Sequence, residues 1–394
     1  MTAGQTQHDM LVESTHDEYV RQCYISDLRF HLLNDVAGGM KTLYDERLKQ
    51  RFVDDNGREP ADKREVHQLM MQDHYTQTWS SMMRSCQEMM WDSVIPSIER
   101  QLPALKEKVR ASTSNHSTLT LNSNVKVPRY VNAVDVHCMP GGYDFQADDD
   151  DVTQAALYDR GVYIYQMGFA GGLADGIGRS VGEFIRQKYP DFEPKKILDV
   201  GCTVGHNTGP FCEVFPNAEV HGIDCCPGLL KYGQARAEAL QLPVHFEQMD
   251  ARQMSYPDNS FDIVFSCILF HETTRDSHRQ ILEESRRVLK PGGININMEL
   301  PPNENLDPYS GFQIDWDAYY NNEPYYAAST STDVVKLMQE VGFEQDAVFE
   351  WLIPDYYEAD RAQFDEAVKA HKHSYSETGR WGEVVRWYGY GARK

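Results

Sequence analysis

The sequence predicts an α/β core preceded by an all-helical N-terminal segment. From Pro194 onward, short apolar runs alternate with stretches of helical periodicity, which is typical of a parallel sheet with helices on both faces. Before residue 100, apolar residues recur at helical spacing. The Ser-, Thr- and Asn-rich stretch 111–128 indicates a surface connector or an irregular β segment. We therefore divide the chain into a helical segment (1–130), a connector and lid (131–190) and a core (191–394).

Length and charge limit the classes of function. At 394 residues the chain is long enough for two domains, or for one domain with a large extension. Its formal net charge of −22 opposes binding to a nucleic-acid backbone or to an anionic membrane surface. We find no apolar stretch of the ~20 residues that a membrane span needs and no signal-peptide pattern at residue 1. We expect a soluble, cytoplasmic protein that acts on a small molecule.

No metal site is expected. The eight cysteines form no C-x-x-C pair and no His/Cys array at metal-ligand spacing, so we interpret them as reduced thiols. The adjacent Cys225 and Cys226 are interpreted as small apolar residues at a strand end, with a redox-sensitive pair as the alternative. His137 beside Cys138 is too little for a metal site. The aspartates 148–151 lack the EF-hand pattern and are typical of a solvated loop.

Three helices are predicted before residue 100. We expect residues 1–12 to be disordered, and a capping box of Thr15 and Glu18 marks the start of the first helix. The pair at 38–39, both glycines, should end that helix, and the third helix should run from about Pro60 to about Pro96. The predicted buried stripes, which include a methionine stripe in the third helix, are Val20, Tyr24, Leu28, Leu32 and Val36, then Met40, Leu43, Tyr44, Leu48 and Phe52, then Val66, Leu69, Met70, Trp79, Met82, Met83, Cys86, Met89 and Met90.

The core pattern begins with five strands and continues, after an insertion, with two more. An aromatic segment, 155–167, and a helix ending near Tyr189 precede the first strand and could fold over a ligand. The aromatics of the insertion, 300–330, come too densely to be one buried helical stripe. The predicted strands are Lys196–Val200, Glu219–Ile223, Val244–Gln248, Phe261–Ser266, Ile294–Met298, Ala347–Trp351 and Val384–Gly389, and helices are predicted at Asp276–Leu289, Thr332–Val341 and Ala359–His371.

A glycine-bearing loop follows the first core strand. Gly201 and Gly205 lie where backbone N–H groups at a helix N-terminus face a ligand, and only glycine lets the main chain approach closely. About twenty residues later, Asp224 ends the second strand, at a position where an acid can bind ribose hydroxyls. A dinucleotide dehydrogenase would need G-x-G-x-x-G, whereas here the next glycine is Gly209. The loop is therefore a candidate cofactor site of a different kind.

Five motifs occur in order between residues 194 and 300, and together they resemble those of the class I S-adenosylmethionine-dependent methyltransferases. The resemblance implies a Rossmann-like, seven-stranded, mostly parallel sheet whose last two strands form an antiparallel edge hairpin. It also implies S-adenosylmethionine as methyl donor and S-adenosylhomocysteine as product. The motifs are Asp199-Val-Gly-Cys-Thr-Val-Gly205, Asp224, Asp250-Ala251, Phe261-Asp262 and Leu289-Lys-Pro-Gly-Gly293.

The resemblance implies a role for each part of the glycine loop. Asp199 would orient the amino group of the methionine moiety, and backbone amides at Gly201 and Gly205 would bind its carboxylate. Thr203 stands where the family has a glycine, and we expect an ordinary backbone conformation there. His206, in the same loop, is predicted to contact the cofactor.

The later motifs would bind the nucleoside. By the resemblance, Asp224 would accept both ribose hydroxyls. Asp250 would accept the adenine amine, and the Ala251 amide would bind a ring nitrogen. Ser266, at the end of the fourth strand, completes the predicted cofactor site.

Methyl transfer requires mainly that the acceptor be aligned and desolvated. If the acceptor is a hydroxyl or an ammonium group, a base must take a proton, and His271 is the best-placed candidate, with a packing role as the alternative. Glu272 shares that ambiguity, and Glu299 could hold a polar or cationic acceptor. The aromatic residues are either a substrate lid or core packing against the N-terminal helices. The lid candidates are Tyr158, Tyr163, Tyr309, Trp316, Tyr320 and Tyr325.

The leading hypothesis is a methyltransferase that acts on an oxygen, nitrogen or carbon atom of a small molecule. The first alternative is an enzyme that binds the same cofactor but catalyses a cyclisation, elimination or decarboxylation. The second alternative is a cofactor-binding scaffold protein. The N-terminal helices would cover the acceptor pocket or form a homodimer interface.

Overall fold

The computed structural model describes residues 4–302, 306–369 and 386–394. The helices are α1 (His16–His31), α2 (Ala37–Leu43), α3 (Lys49–Asn56), α4 (Lys63–Met70), α5 (His74–Ala111), α6 (Arg129–Asn132), α7 (Thr153–Tyr165), α8 (Gly176–Lys188), α9 (Gly209–Val214), α10 (Pro227–Ala239), α11 (Arg275–Val288), α12 (Pro308–Tyr320), α13 (Tyr326–Thr330), α14 (Val334–Glu340) and α15 (Arg361–Lys369). The strands are β1 (Thr118–Thr120), β2 (Lys196–Val200), β3 (Glu219–Asp224), β4 (Val244–Gln248), β5 (Phe261–Cys267), β6 (Leu289–Glu299), β7 (Val348–Pro354) and β8 (Arg386–Arg393).

The described strands form one sheet in the order β1-β4-β3-β2-β5-β6-β8-β7. Strands β1 to β6 pair in parallel, and β8 is antiparallel to both β6 and β7. The predicted α/β class and the antiparallel edge hairpin are confirmed. The sheet has eight strands rather than seven. The additional strand is the short β1, which lies inside the Ser-, Thr- and Asn-rich stretch 111–128 and pairs with β4 at the edge. The beginning of the predicted last strand, 384–385, and the end of the predicted helix at 370–371 lie outside the described residues.

The first three helices are joined end to end into one rod, which is longer than either of the helices predicted there. Two π-helical turns, Leu32–Val36 and Tyr44–Leu48, join α1, α2 and α3, so the helix does not end at Gly38-Gly39. Position 39 packs closely against Tyr75, because a Cβ there would overlap the Tyr75 hydroxyl. The third predicted helix is in fact two, α4 and α5, and α5 continues through Pro96 and Pro103.

The capping box that begins α1 is confirmed, and the predicted buried stripe holds for Leu32 but not for its first members. Thr15 and Glu18 exchange both hydrogen bonds, whereas Val20 and Tyr24 are 50% and 61% exposed. The buried face of α1 instead carries polar residues such as Arg29. Its guanidinium donates to Gln87 Oε1 at 2.9 Å and to the Tyr165 carbonyl at 3.0 Å.

The segment before α1 is packed, so the expectation of disorder is wrong for its described part, residues 4–12. Met10, Leu11 and Val12 are buried. Tyr232 on α10 donates its hydroxyl hydrogen to the Met10 carbonyl at 2.8 Å, and Gln5 donates to the Asp159 carbonyl on α7 at 3.0 Å. The segment therefore joins the helical layer to the core.

The aromatic insertion forms a helix, α12, with one buried stripe, contrary to the prediction. Tyr309, Phe312 and Trp316 lie on this stripe and pack against the N-terminal helices. The Trp316 ring lies 3.8 Å, centroid to centroid, from Trp79, and its Nε1 donates to Ser80 Oγ at 2.7 Å. The density of aromatics misled the prediction because the stripe has helical spacing.

We expect Phe312→Ala to destabilise the protein by about 3–5 kcal/mol, because it leaves a cavity in a closely packed layer. Phe312 is fully buried against His67 and Tyr309. Tyr319→Ala, on the same helix but 75% exposed, is the control and should change stability by less than about 0.5 kcal/mol. Urea unfolding of both variants measures this, and equal losses would contradict the packing role of the stripe.

Candidate active site

A cavity of about 610 Å³ lies at the carboxyl edge of the parallel strands. The loops after β2, β3, β4 and β5 and the end of β6 line its floor. Residues of α5, α7 and α12 cover it. Because the carboxyl ends of parallel strands meet at one edge, the predicted cofactor and acceptor groups surround a common space.

Gly201 and Gly205 each require glycine, but different neighbours make a side chain unfavourable at the two positions. Both have positive φ, +79° at Gly201 and +83° at Gly205, which L side chains rarely adopt. A Cβ at Gly201 would lie 2.8 Å from Leu269, and one at Gly205 would lie 2.9 Å from Phe246 on β4. Gly201 lines the cavity, whereas Gly205 packs against the core and is not among the lining residues.

The expectation of an ordinary backbone at Thr203 is wrong. Its φ is +49°, a left-handed conformation that costs a β-branched residue about 1–2 kcal/mol. Two contacts hold it there. Its N–H donates to Asp224 Oδ2 at 3.1 Å, and its side chain hydrogen-bonds with Tyr158. Thr203 thus directs its amide toward Asp224 at the end of β3, and its side chain connects the loop to Tyr158 of α7.

Asp199 is a buried carboxylate that lacks a cationic partner among the described residues. It accepts a hydrogen bond from Thr208 Oγ1 at 2.5 Å. Burial raises the pKa of Asp199 to about 7, although the Thr208 hydroxyl lowers it. Such a group suits an ammonium ligand, which would supply the missing positive charge.

Two more acids follow the next strands. Asp224 accepts the N–H of Thr203 and that of Cys226, the latter at 2.9 Å, and burial raises its pKa. Asp250 pairs with Arg252 within its own loop at 2.6 Å. All three acids that the sequence assigned to the cofactor, Asp199, Asp224 and Asp250, line the cavity, as do Ala251 and Thr203.

His206 has a structural partner. Its ring lines the cavity and stacks on Tyr158, with centroids 5.4 Å apart. Its Nε2 lies 2.8 Å from Asp159 Oδ1. Burial and the Arg236 guanidinium lower the pKa of His206. The ring therefore connects the glycine loop to α7.

His271 and Glu299 form a buried pair at the ends of β5 and β6. His271 Nδ1 lies 2.7 Å from Glu299 Oε2, and Glu299 Oε1 accepts the Phe270 N–H at 2.5 Å. Burial would lower the pKa of His271, but Glu299 and Glu323 raise it to about 9, so the ring is protonated at neutral pH. In this state it can donate a proton but cannot accept one.

Three further groups at this end were missed in the sequence. His137 Nε2 lies 2.9 Å from Glu272 Oε1, and its Nδ1 lies 3.1 Å from Glu323 Oε1. Tyr143 donates its hydroxyl hydrogen to Glu272 Oε1 at 2.9 Å. His137 and Glu272 are 135 residues apart, so no local pattern could associate them.

The lid candidates divide into two groups. Tyr158 and Trp316 line the cavity. Tyr163, Tyr309, Tyr320 and Tyr325, and the cofactor candidate Ser266, are not among its lining residues. Ser266 is buried and donates to Asn297 Oδ1 at 3.1 Å on β6. The core-packing alternative therefore holds for Tyr309 and Trp316, and the lid role of Tyr158 and Trp316 stays a prediction.

All eight cysteines have free thiols, and the sulfurs of Cys225 and Cys226 lie 3.9 Å apart. Two groups of described residues have metal-like spacing, Glu219 with His221 and His245, and Asp224 with Cys225 and Cys226. The first group is hydrogen-bonded internally, and the second lies in the cavity.

Among the described helices, none has the length and apolar character that crossing a bilayer requires.

Residues 197–293 match a family model described as a methyltransferase domain. Together with the sheet order and the glycine loop, this match shows that the chain contains a class I S-adenosylmethionine-dependent methyltransferase domain, as the motifs predicted.

Curated relatives agree over the same region. The demethylmenaquinone methyltransferase of Thermus thermophilus is 35% identical over 127 residues, which are 32% of this chain and 55% of that protein. Phosphoethanolamine N-methyltransferase 1 of Arabidopsis thaliana is 31% identical over 141 residues, 34% of this chain and 26% of that protein. The chain thus spans about half, or less, of the length of these relatives.

A solved structure with a related fold is phosphoethanolamine N-methyltransferase 2 of Haemonchus contortus in complex with S-adenosyl-L-methionine. Its sequence is 18% identical, and the superposition covers 60% of this chain and 57% of that chain with a TM-score of 0.41. The family assignment therefore rests on the matched domain and on the relatives above.

Asp199→Asn should stabilise the ligand-free protein relative to wild type at high pH. The folded-state pKa of Asp199, about 7, lies above its ordinary value of 3.8, so the unfolded chain releases the proton first. Wild type therefore loses stability as the pH rises from about 4 to about 7, by at most about 4 kcal/mol, and the variant does not. Urea unfolding at pH 4.5 and pH 8 measures the difference. Asp276→Asn, at an exposed aspartate, is the control, and a stability gain that is equal at both pH values would contradict the assignment.

Proposed function

We propose that this protein transfers a methyl group from S-adenosylmethionine to a small molecule enclosed in the cavity. The observation that carries the proposal is the shape of that cavity. It joins a glycine loop with three acids at one end to a buried pair of histidines and three glutamates at the other. Donor and acceptor would thus meet in a space that the helical segment closes to solvent.

The residues at the loop end fit the cofactor. Asp199 is a buried acid without a cationic partner among the described residues, which suits the ammonium group of a methionine moiety. Gly201 lines the cavity, although its own N–H donates to the Ile223 carbonyl at 2.9 Å. Asp224 at the end of β3 would accept the ribose hydroxyls. Asp250 and the Ala251 amide would bind the adenine.

The acceptor end supplies orientation and proton handling. S-adenosylmethionine provides an electrophilic methyl group on a sulfonium whose departure leaves a neutral thioether. The chain therefore has to align the acceptor, exclude water and manage one proton. We propose that Glu299 fixes the His271 ring through Nδ1, so that the protonated Nε2 can donate a hydrogen bond to the acceptor. Glu272 would contact the acceptor directly.

The relatives support a small acceptor without fixing its atom. The names of those relatives specify demethylmenaquinone and a phosphoethanolamine nitrogen as methylation targets. The net charge of −22 argues against a nucleic-acid substrate.

Asp224→Ala should weaken binding of S-adenosylhomocysteine at least tenfold, because two hydrogen bonds from ribose hydroxyls to a buried carboxylate are lost. Isothermal titration calorimetry measures the affinity. Asp276→Ala removes an exposed aspartate outside the cavity and should bind as wild type does. Unchanged affinity in Asp224→Ala would refute the ribose assignment.

The transfer itself is tested with methyl-labelled S-adenosylmethionine and a pool of low-molecular-weight metabolites. We expect the label in a small product and one equivalent of S-adenosylhomocysteine, with both formed more slowly by Asp224→Ala at cofactor concentrations below saturation. Cofactor consumption without a labelled product would indicate a non-methylating reaction. Binding without consumption would indicate a scaffold protein.

A further inference from the structure

The acceptor end of the cavity contains more carboxylates than cationic side chains. Five buried or half-buried ionisable residues meet there, and we call them the Glu–His cluster: His137, His271, Glu272, Glu299 and Glu323. All five line the cavity.

Both imidazoles of the cluster are held by carboxylates. His137 bridges Glu272 and Glu323, with one ring nitrogen 2.9 Å and the other 3.1 Å from a carboxylate oxygen. Burial would lower the pKa of His137, but Glu323 and Glu272 raise it well above its ordinary value. With His271 protonated as well, two imidazolium ions face three carboxylates. One negative charge is left without a partner in a desolvated place, where an uncompensated charge is costly.

Unpaired atoms of the cluster face the cavity. His271 is only 2% exposed, and its Nε2 makes no hydrogen bond in the part of the chain that the structure describes. The nearest carboxylate oxygen is Glu323 Oε2 at 3.8 Å, beyond hydrogen-bond distance. Glu272 and Glu323 each use Oε1 for their hydrogen bonds to His137, Tyr143 and Asn321. No hydrogen bond to either Oε2 atom is found among the described residues.

The remaining lining does not suit an anionic acceptor. Among the described lining residues no lysine occurs, and the one arginine is Arg386 at the start of β8. Aromatic rings adjoin the cluster. The Tyr326 ring lies 5.3 Å from His271, and Tyr165 lies 5.8 Å from His137. A face of the Tyr165 ring is already covered by the Arg29 guanidinium, 4.0 Å from the ring centroid. A phosphate or carboxylate group would still meet a surplus of negative charge at this end.

We propose that the methyl acceptor is a small amine that enters as an ammonium ion and binds to Glu272 and Glu323. The inference rests on the proposed methyl transfer and specifies its substrate class. The positive charge of the ligand balances the cluster, and its N–H groups donate to the Oε2 atoms of Glu272 and Glu323. For transfer, the ammonium gives one proton to the Glu272 carboxylate, its lone pair forms the bond to the methyl carbon, and the electrons of the carbon–sulfur bond remain on sulfur.

The test compares ligands of equal shape and different charge. Two series are titrated by calorimetry into wild-type protein at pH 7.5: benzylamine, benzyl alcohol and benzoate, then butylamine, butanol and butyrate. Saturating S-adenosylhomocysteine is present, because its neutral sulfur removes the sulfonium charge that could otherwise occupy the cluster. We expect each amine to bind at least tenfold more tightly than its alcohol and its acid. Equal or stronger binding of the alcohol or the acid in both series would overturn the inference.

A variant locates the preference. Glu272→Gln keeps the shape of the side chain and removes the surplus charge, so the preference for the amine over the alcohol should fall at least fivefold. Glu283→Gln removes one exposed carboxylate outside the cavity and should keep the full preference. A preference that Glu272→Gln retains, in protein with wild-type circular dichroism, would remove the cluster from the explanation. If Glu272→Gln fails to fold, the wild-type ligand series alone decide.

The design separates this inference from the methyl-transfer proposal. Each amine is also titrated without S-adenosylhomocysteine, since the cluster charge does not depend on the cofactor. Loss of S-adenosylhomocysteine binding with retained amine preference would refute only the transfer function. Cofactor binding without amine preference would refute only the substrate class.

Discussion

The buried carboxylate of Asp159 connects the two halves of this molecule. It lies on α7 and contacts His206 of the glycine loop at 2.8 Å and Tyr232 of α10 at 2.7 Å. His8 of the N-terminal segment lies 3.3 Å away, and Arg236 lies 3.6 Å away. Burial would raise the pKa of Asp159, but Arg236, His206 and His8 hold it well below its ordinary value. A charge this deep is tolerated only while its partners remain, so the helical segment and the glycine loop are fixed together.

This coupling explains why residues of the helical segment contribute to the lining of the cavity. With α7 fixed above the loop, Tyr158 reaches both Thr203 and the neighbourhood of Glu272. Helices α5 and α12 then complete the cover, with Trp79 and Trp316 packed ring to ring. Such a cover would reduce the contact of a charged donor and its acceptor with water, which strengthens electrostatic interactions.

The sequence predicted the sheet well and the helical layer less well, for a physical reason. The core strands β2 to β5 were predicted to within one residue, because strands covered on both faces appear as continuous apolar runs bounded by turn residues. Helix α1 was misread because its buried face includes Arg29, whose partners Gln87 and Tyr165 are 58 and 136 residues away. Burial of a polar side chain depends on such distant partners, which periodicity does not reveal.

The same limit divides the candidate site. The acids at the loop end could be placed from strand ends, since each lies within two residues of the end of a strand. At the acceptor end, His271, Glu272 and Glu299 were predicted in the same way, but His137 and Glu323 could not be, because they lie on connectors that reach the site only when the helical layer is assembled. The two ends also differ in electrostatic design. Asp199 has no cationic partner among the described residues, whereas His137 and His271 each have carboxylate partners. The loop end therefore depends on its ligand for a positive charge. At the acceptor end, the two imidazolium ions balance all but one of the three carboxylates. The cofactor's ammonium group beside Asp199 and a cationic acceptor beside the Glu–His cluster would each offset one buried carboxylate, and this requirement constrains both substrates at once.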